Sequence, residues 1–165
     1  MRLAKDKILR REAAAGKVRE WKQAGLKVVF TNGCFDLLHP GHLQYLEKAH
    51  LLGDRLVVAI NDDASVRQIK GAGRPIYPEE ERAEILGAMA CVDLVTYFSE
   101  ADPFNIIREL APDILVKGAD WAQGEIIGRD LVEAGGGKVL QIEFASGYST
   151  SRLIENIRKN YCPNC

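Results

Sequence analysis

Short apolar runs recur along this chain, and most are followed by a stretch with helical spacing. Lys27-Val28-Val29-Phe30-Thr31, Arg55-Leu56-Val57-Val58-Ala59-Ile60, Leu94-Val95-Thr96-Tyr97, Ile114-Leu115-Val116-Lys117 and Lys138–Glu143 have the length and apolar, mostly β-branched content of buried strands. Helical patterns fill the gaps at Pro40–Leu52, Pro78–Ala90, Asp102–Leu110 and Glu125–Ala134. A last helix, capped by Ser149 or Thr150, carries Leu153, Ile154 and Ile157 on one face. Pro78 suits a first turn, and Glu79, Glu80 and Glu81 favour the positive end of a helix dipole. Asn61–Tyr77 reads as a polar, glycine-containing loop. Strands alternating with helices predict an α/β fold: a single Rossmann-like domain, with a parallel sheet of about five strands and helices on both faces.

Residues 1–25 are charged and alanine-rich, with Leu3, Ile8, Leu9, Val18 and Trp21 as the apolar minority, and predict a helical extension closed by Gly25. The domain proper runs over 26–160, and 161–165 form a tail. Its Cys162 and Cys165 make a C-x-x-C with no second pair, so a frayed terminus with two exposed thiols is expected rather than a metal clip. At 165 residues the chain is long enough for one sizeable core. A net charge of −1 carries no electrostatic footprint for nucleic acid. No apolar run approaches the roughly 20 residues of a membrane span, and the first residues lack a signal peptide's apolar centre. The expectation is a cytoplasmic protein with neither nucleic acid nor membrane as partner.

In parallel sheets, ligands bind outside the carboxyl ends of the strands, where strand order reverses. The loops to search are therefore those after the first, second, fourth and fifth strands. They hold the unusual polar residues: Thr31–His42, Asn61-Asp62-Asp63, Lys117-Gly118-Ala119-Asp120 and Ser146–Arg152. In the first, His39 and His42 stand three apart at a helix start, with Pro40 suited to the first helical position and Gly41 allowing a ligand close to the backbone. Free N–H groups at that end attract anions, phosphate above all, and both imidazoles can donate to one phosphate. A metal reading would call for H-E-x-x-H or a third ligand, and no metal site is expected. His50 lies two turns on and is taken as structural.

Other chemistries lack their motifs. There is no G-x-x-x-x-G-K-[ST], no G-x-G-x-x-G after the first strand and no G-x-S-x-G elbow. Lys70, Arg74 and Arg82 are either solvated charges or ligands of a substrate phosphate. Asp36 and Asp120 each follow a strand and can bind sugar hydroxyls or cap a turn. Ser149-Thr150-Ser151 has capping composition, which is compatible with phosphate binding at the same helix end.

Gly33-Cys34-Phe35-Asp36-Leu37-Leu38-His39-Pro40-Gly41-His42 resembles the G-x-F-D-x-x-H-x-G-H signature of the cytidylyltransferase-like nucleotidyltransferases. Lys117-Gly118-Ala119-Asp120-Trp121 and Gly147-Tyr148-Ser149-Thr150-Ser151 extend the resemblance, the latter matching a second signature. Within that superfamily the chain is most similar to the D-glycero-β-D-manno-heptose 1-phosphate adenylyltransferases. Thr31–Asp36, Leu52–Leu56, Lys70-Gly71 with Arg74-Pro75, and Leu115–Gly118 carry that similarity. The related glycerol-3-phosphate cytidylyltransferases usually have a basic residue where this chain has Phe144.

The resemblance implies transfer of AMP from ATP to heptose 1-phosphate, giving ADP-heptose and pyrophosphate, for synthesis of surface-polysaccharide heptose. It places His39 and His42 on the triphosphate and transition state, and the Cys34–Phe35 backbone, with Gly33 and Gly41, near the nucleotide. Lys117, Gly118, Asp120, Ser149, Thr150 and Ser151 line the nucleotide site. Asp36, Lys70, Arg74 and Arg82 are its candidate substrate or phosphate ligands. Mg²⁺ is expected through the ATP phosphates, with no protein ligand assigned, and a homodimer is a family-level expectation. A related transferase using CTP or glycerol 3-phosphate, and a non-catalytic nucleotide-binding module, are the alternatives.

Overall fold

The structure is a computed structural model that describes residues 3–119, 126–143 and 147–161. Five parallel strands form one sheet: β1 (Val28–Gly33), β2 (Arg55–Asn61), β3 (Leu94–Phe98), β4 (Ile114–Gly118) and β5 (Lys138–Ile142), in the order β3-β2-β1-β4-β5. Strand order therefore reverses between β1 and β4, which makes their carboxyl ends the switch point.

Side chains alternate across the sheet and build a core on each face. Val28 and Phe30 of β1 join Val57, Ala59, Leu94 and Leu115 beneath α1 (Arg11–Gln23), which buries Ala14, Ala15, Val18 and Trp21. Val29 faces the other way, with Leu56, Val58, Ile60, Val95 and Val116. That side is covered by Tyr45, Leu46 and Ala49 of α2 (Pro40–His50) and by Ala83 and Leu86 of α4 (Glu79–Ala88). Before α1 the chain runs alongside β3, where Leu9 N–H donates to the Val95 carbonyl at 3.0 Å. Lys7 Nζ donates to the carbonyls of Met89 and Val92 at 2.9 and 2.7 Å. The N-terminal helix thus belongs to the layer that covers one face of the sheet.

The turn between α2 and β2 shows how tightly the layers meet. A Cβ on Gly53 would lie 2.7 Å from Val29 Cγ2 and 2.8 Å from the Lys27 carbonyl, so this position takes only glycine without movement of the backbone.

Two expectations need correction. Asn61–Tyr77 is not a loop throughout, because α3 (Asp63–Lys70) forms inside it. The Asp62 carboxylate accepts from Ser65 N–H at 2.8 Å and caps that helix, and Val66 is fully buried beneath it. Its single short turn of apolar contact hides it from a periodicity argument. Conversely, the helix expected over Glu125–Ala134 is only α6 (Arg129–Ala134) among the described residues, with Glu125 outside them. Gly128 has φ +88, and a Cβ there would meet Ile107 Cδ1 at 2.7 Å. The chain turns sharply at that point to seat against α5 (Phe104–Leu110), and the helix starts after it. The last helix, α7 (Thr150–Tyr161), begins where expected: Ser149 Oγ accepts from Arg152 N–H at 3.1 Å.

Candidate active site

A cleft of about 540 Å³ opens at the switch point. Its floor is the carboxyl ends of β1, β2 and β4, its centre the start of α2, and its rim α3, the segment after β3 and the start of α7. The loop from β1 to α2 is held in a strained shape. Phe35 has φ +46, the left-handed region that a non-glycine residue enters at a cost. Its ring folds back so closely that a Cβ on Gly33 would lie 3.1 Å from it, which explains glycine there.

His39 is the N-cap of α2, and its Nδ1 accepts from His42 N–H at 3.3 Å. That bond fixes its tautomer: the proton sits on Nε2, which is free to donate to a ligand. The His39 and His42 rings stack with centroids 3.8 Å apart and planes 17° from parallel. Among the described residues His42 Nδ1 is buried without a partner, so Nε2 is its nitrogen for a ligand in the cleft. Burial, with a smaller contribution from His39, lowers the His42 pKa to about 4, and burial also lowers that of His39. At neutral pH both are uncharged N–H donors over a helix N-terminus. Gly41 completes the approach, since a Cβ there would meet His39 Nδ1 and Tyr148 Cβ, both at 3.1 Å.

The shifted imidazole makes stability depend on pH. His42 binds a proton near 6.5 when unfolded but only near 4 when folded, so between those values the unfolded chain holds more protons. Stability therefore falls as pH falls through that window, by about 1–3 kcal/mol from this residue once cleft water is allowed for. The urea midpoint should fall further between pH 7 and pH 5 for the wild type than for His42→Gln. Parallel profiles for the two proteins would refute the assignment.

Of the residues expected at the site, His39, His42, Gly33, Cys34, Phe35, Asp36, Lys70, Arg74, Lys117, Gly118, Ser149, Thr150 and Ser151 all line this one cleft. Gly41 is buried directly behind the histidines. Lys117, almost buried at the end of β4, donates to the Asn32 carboxamide. Thr150 Oγ1 donates to the Leu37 carbonyl at 3.3 Å, tying α7 to the histidine loop. Asp120, Trp121, Phe144, Ser146 and the Cys162/Cys165 tail lie outside the described residues.

Two candidate ligands have other roles. Arg82 is fully buried and does not reach the cleft. Its guanidinium donates to the carbonyls of Cys34, Asn61 and Tyr77 at 2.7, 2.8 and 3.0 Å and to Asp63 Oδ1 at 2.7 Å. It is a clamp beneath the site rather than a phosphate ligand. Asp36 is likewise engaged, accepting from Arg74, Ile76 N–H and Tyr77 N–H. Burial pushes its pKa up, but the Tyr77 and Ile76 N–H groups and Arg74 outweigh that and hold it below the usual carboxylate range. Asp36 therefore pins the 74–77 segment and carries Arg74 to the cleft; it has little left for a sugar hydroxyl.

Cys34 is in its protonated form. Burial raises its pKa despite the opposing fields of Lys70, Arg82 and Arg74, so it stays a thiol. Among the described residues, no group of three His, Cys, Asp or Glu side chains is placed to hold a metal ion. Sequence reasoning placed Asn32 and Asn61 in the loops to search but gave neither a role, and it passed over Tyr45; all three line the cleft. The two asparagines share a signal: a carboxamide near the carboxyl end of an otherwise apolar strand.

A doubly wound parallel sheet with an anion-binding helix N-terminus at its switch point is the architecture of nucleotide-binding α/β proteins. Within that class the chain belongs to the cytidylyltransferase-like family, whose pattern matches residues 30–156. It is 52% identical over 151 residues to the bifunctional protein HldE of Azorhizobium caulinodans, covering 92% of this chain and 32% of that protein. HldE of Citrifermentans bemidjiense is also 52% identical, over 161 residues, covering 96% of this chain and 33% of that protein. The chain thus spans about a third of the length of the curated relatives it matches. The crystal structure of the lipopolysaccharide core biosynthesis protein from Thermoplasma volcanium aligns with a TM-score of 0.64 and 30% identity, covering 74% of this chain and 100% of that one.

Proposed function

We propose that this chain transfers AMP from ATP to D-glycero-β-D-manno-heptose 1-phosphate, forming ADP-heptose and pyrophosphate. The carrying observation is the stacked, neutral His39–His42 pair at the start of α2, aimed into a cleft with Lys70, Arg74 and Lys117. The HldE relatives and the lipopolysaccharide core protein support the choice of a heptose phosphate as acceptor.

An oxygen of the acceptor phosphate attacks the α-phosphorus of ATP. A new P–O bond forms as the bond from that phosphorus to the β-phosphate oxygen breaks, and pyrophosphate leaves with the electron pair. No proton need move, because both partners are already anions. The protein's work is alignment and stabilisation of charge on the α-phosphate. His39 and His42 supply two N–H donors there, and the N-terminus of α2 adds its dipole. Lys117, Gly118 and Ser149–Ser151 hold the nucleotide, and Lys70 and Arg74 take acceptor phosphate or pyrophosphate oxygens. Mg²⁺, held through the ATP phosphates, would neutralise part of their charge. Its donors would be those phosphates and water, which agrees with the engaged state of Asp36. A cytoplasmic location, where ATP is supplied, and a homodimeric assembly are what we expect.

Pyrophosphate release across a panel of nucleotides and acceptors tests this reading. ATP with heptose 1-phosphate should be the preferred pair. Turnover of CTP with glycerol 3-phosphate in its place would transfer the chain to another branch of the family, and nucleotide binding with no turnover would make it a binding module.

A further inference from the structure

Strand β2 is apolar and completely buried from Leu56 to Ile60, and then ends in Asn61, which is 4% exposed. The backbone of Asn61 lies in the sheet: its carbonyl accepts from Arg82, and the residue pairs in register with Phe98 of β3. The side chain serves neither bond. Its Oδ1 accepts only a weak bond from the Cys34 thiol, 3.8 Å away, and this orientation turns the amide nitrogen towards the cleft. Among the described residues that nitrogen has no hydrogen-bond partner, and it is not sealed among protein atoms. A nearly buried carboxamide with its donors unspent is a group the fold does not need.

Its position says what it is for. The nucleotide residues Lys117, Gly118 and Ser149–Ser151 occupy the β4 and α7 flank of the cleft, and the histidines stand in the middle. Asn61 lies on the opposite flank, with Lys70 and Arg74. Those two cations suit the phosphate of the acceptor. A neutral carboxamide adds nothing to charge neutralisation, but it matches a neutral hydroxyl. We infer that Asn61 determines acceptor specificity, its Nδ2–H donating to one hydroxyl of the sugar body. This rests on the reading that the acceptor is a sugar 1-phosphate.

The test is steady-state kinetics of wild type, Asn61→Ala and Asn61→Ser with heptose 1-phosphate and its singly deoxygenated forms. Calorimetric ATP binding without acceptor serves as the control. Asn61→Ala should lower kcat/KM for the acceptor by roughly 10–100-fold while ATP affinity stays within about twofold. Asn61→Ser, which keeps a donor, should recover part of the loss. One deoxygenated acceptor should react equally well with wild type and Asn61→Ala, because the bond is then missing from both. Equal weakening of ATP and acceptor would assign Asn61 to shaping the Cys34 loop and overturn the inference. So would an unchanged penalty for every deoxygenated acceptor. A wild type that uses no sugar 1-phosphate would defeat the underlying reading, whereas an active wild type with an unaffected Asn61→Ala defeats the role of Asn61 alone.

Discussion

His42→Ala folds normally and turns over roughly 10²–10³-fold more slowly, the scale for losing one donor to a transition state. The prediction follows from where the imidazole sits. Its Nδ1 is buried with no partner among the described residues, and burial holds the ring neutral, so it contributes little to stability that alanine would forfeit. Indeed, removing an unsatisfied buried nitrogen offsets part of the packing lost against His39 and Phe35, whose ring centroids lie 3.8 and 5.4 Å away. What alanine takes away is the Nε2–H facing the cleft. Because that donor matters most as charge grows on the α-phosphate, kcat should fall while the affinity for ATP changes much less. A purified, folded variant with near-normal kcat would remove His42 from the transition state.

Arg82→Met lowers stability by about 3–5 kcal/mol, a large part of what a domain this size possesses. The residue is fully buried, and its guanidinium makes four hydrogen bonds that join the ends of β1 and β2, the start of α3 and the segment before α4. Methionine fills the space but leaves the carbonyls of Cys34, Asn61 and Tyr77 short of a donor and Asp63 without its partner. Those carbonyls belong to the loop and strand that frame the cleft, so residual activity should fall along with stability. Urea unfolding gives the size of the effect. A loss below about 1 kcal/mol would show that water or a shifted side chain replaces the clamp.

The contrast between these two residues shows how far the sequence carries. The sheet was legible because its strands are buried on both faces and so are apolar almost throughout, with little period to misread. The position of the cleft followed from parallel topology, and the histidines from helix-start chemistry. Arg82 was not legible. A cation in a helical stretch behind Glu79, Glu80 and Glu81 has the pattern of a solvated surface, and only the packing of α4 against β2 turns it inward. The bonding of Asp36 was hidden for a similar reason: three donors from 74–77 reach it across a gap of about forty residues, a closure that no local spacing announces. Asp62 capping α3 lies at the limit. Its side chain is a regular N-cap, but the helix it starts runs only from Asp63 to Lys70 and buries only Ser65 and Val66.

The central claim is a single direct displacement at the α-phosphorus with no protein nucleophile, in keeping with a Cys34 held as a thiol and histidines that act as donors. It is tested most directly by the stereochemistry of turnover with ATP made chiral by sulfur at the α-phosphate and heptose 1-phosphate as acceptor. The account predicts ADP-heptose with the α-phosphorus inverted. Retention would mean two displacements through a nucleotidyl-enzyme, and would contradict it.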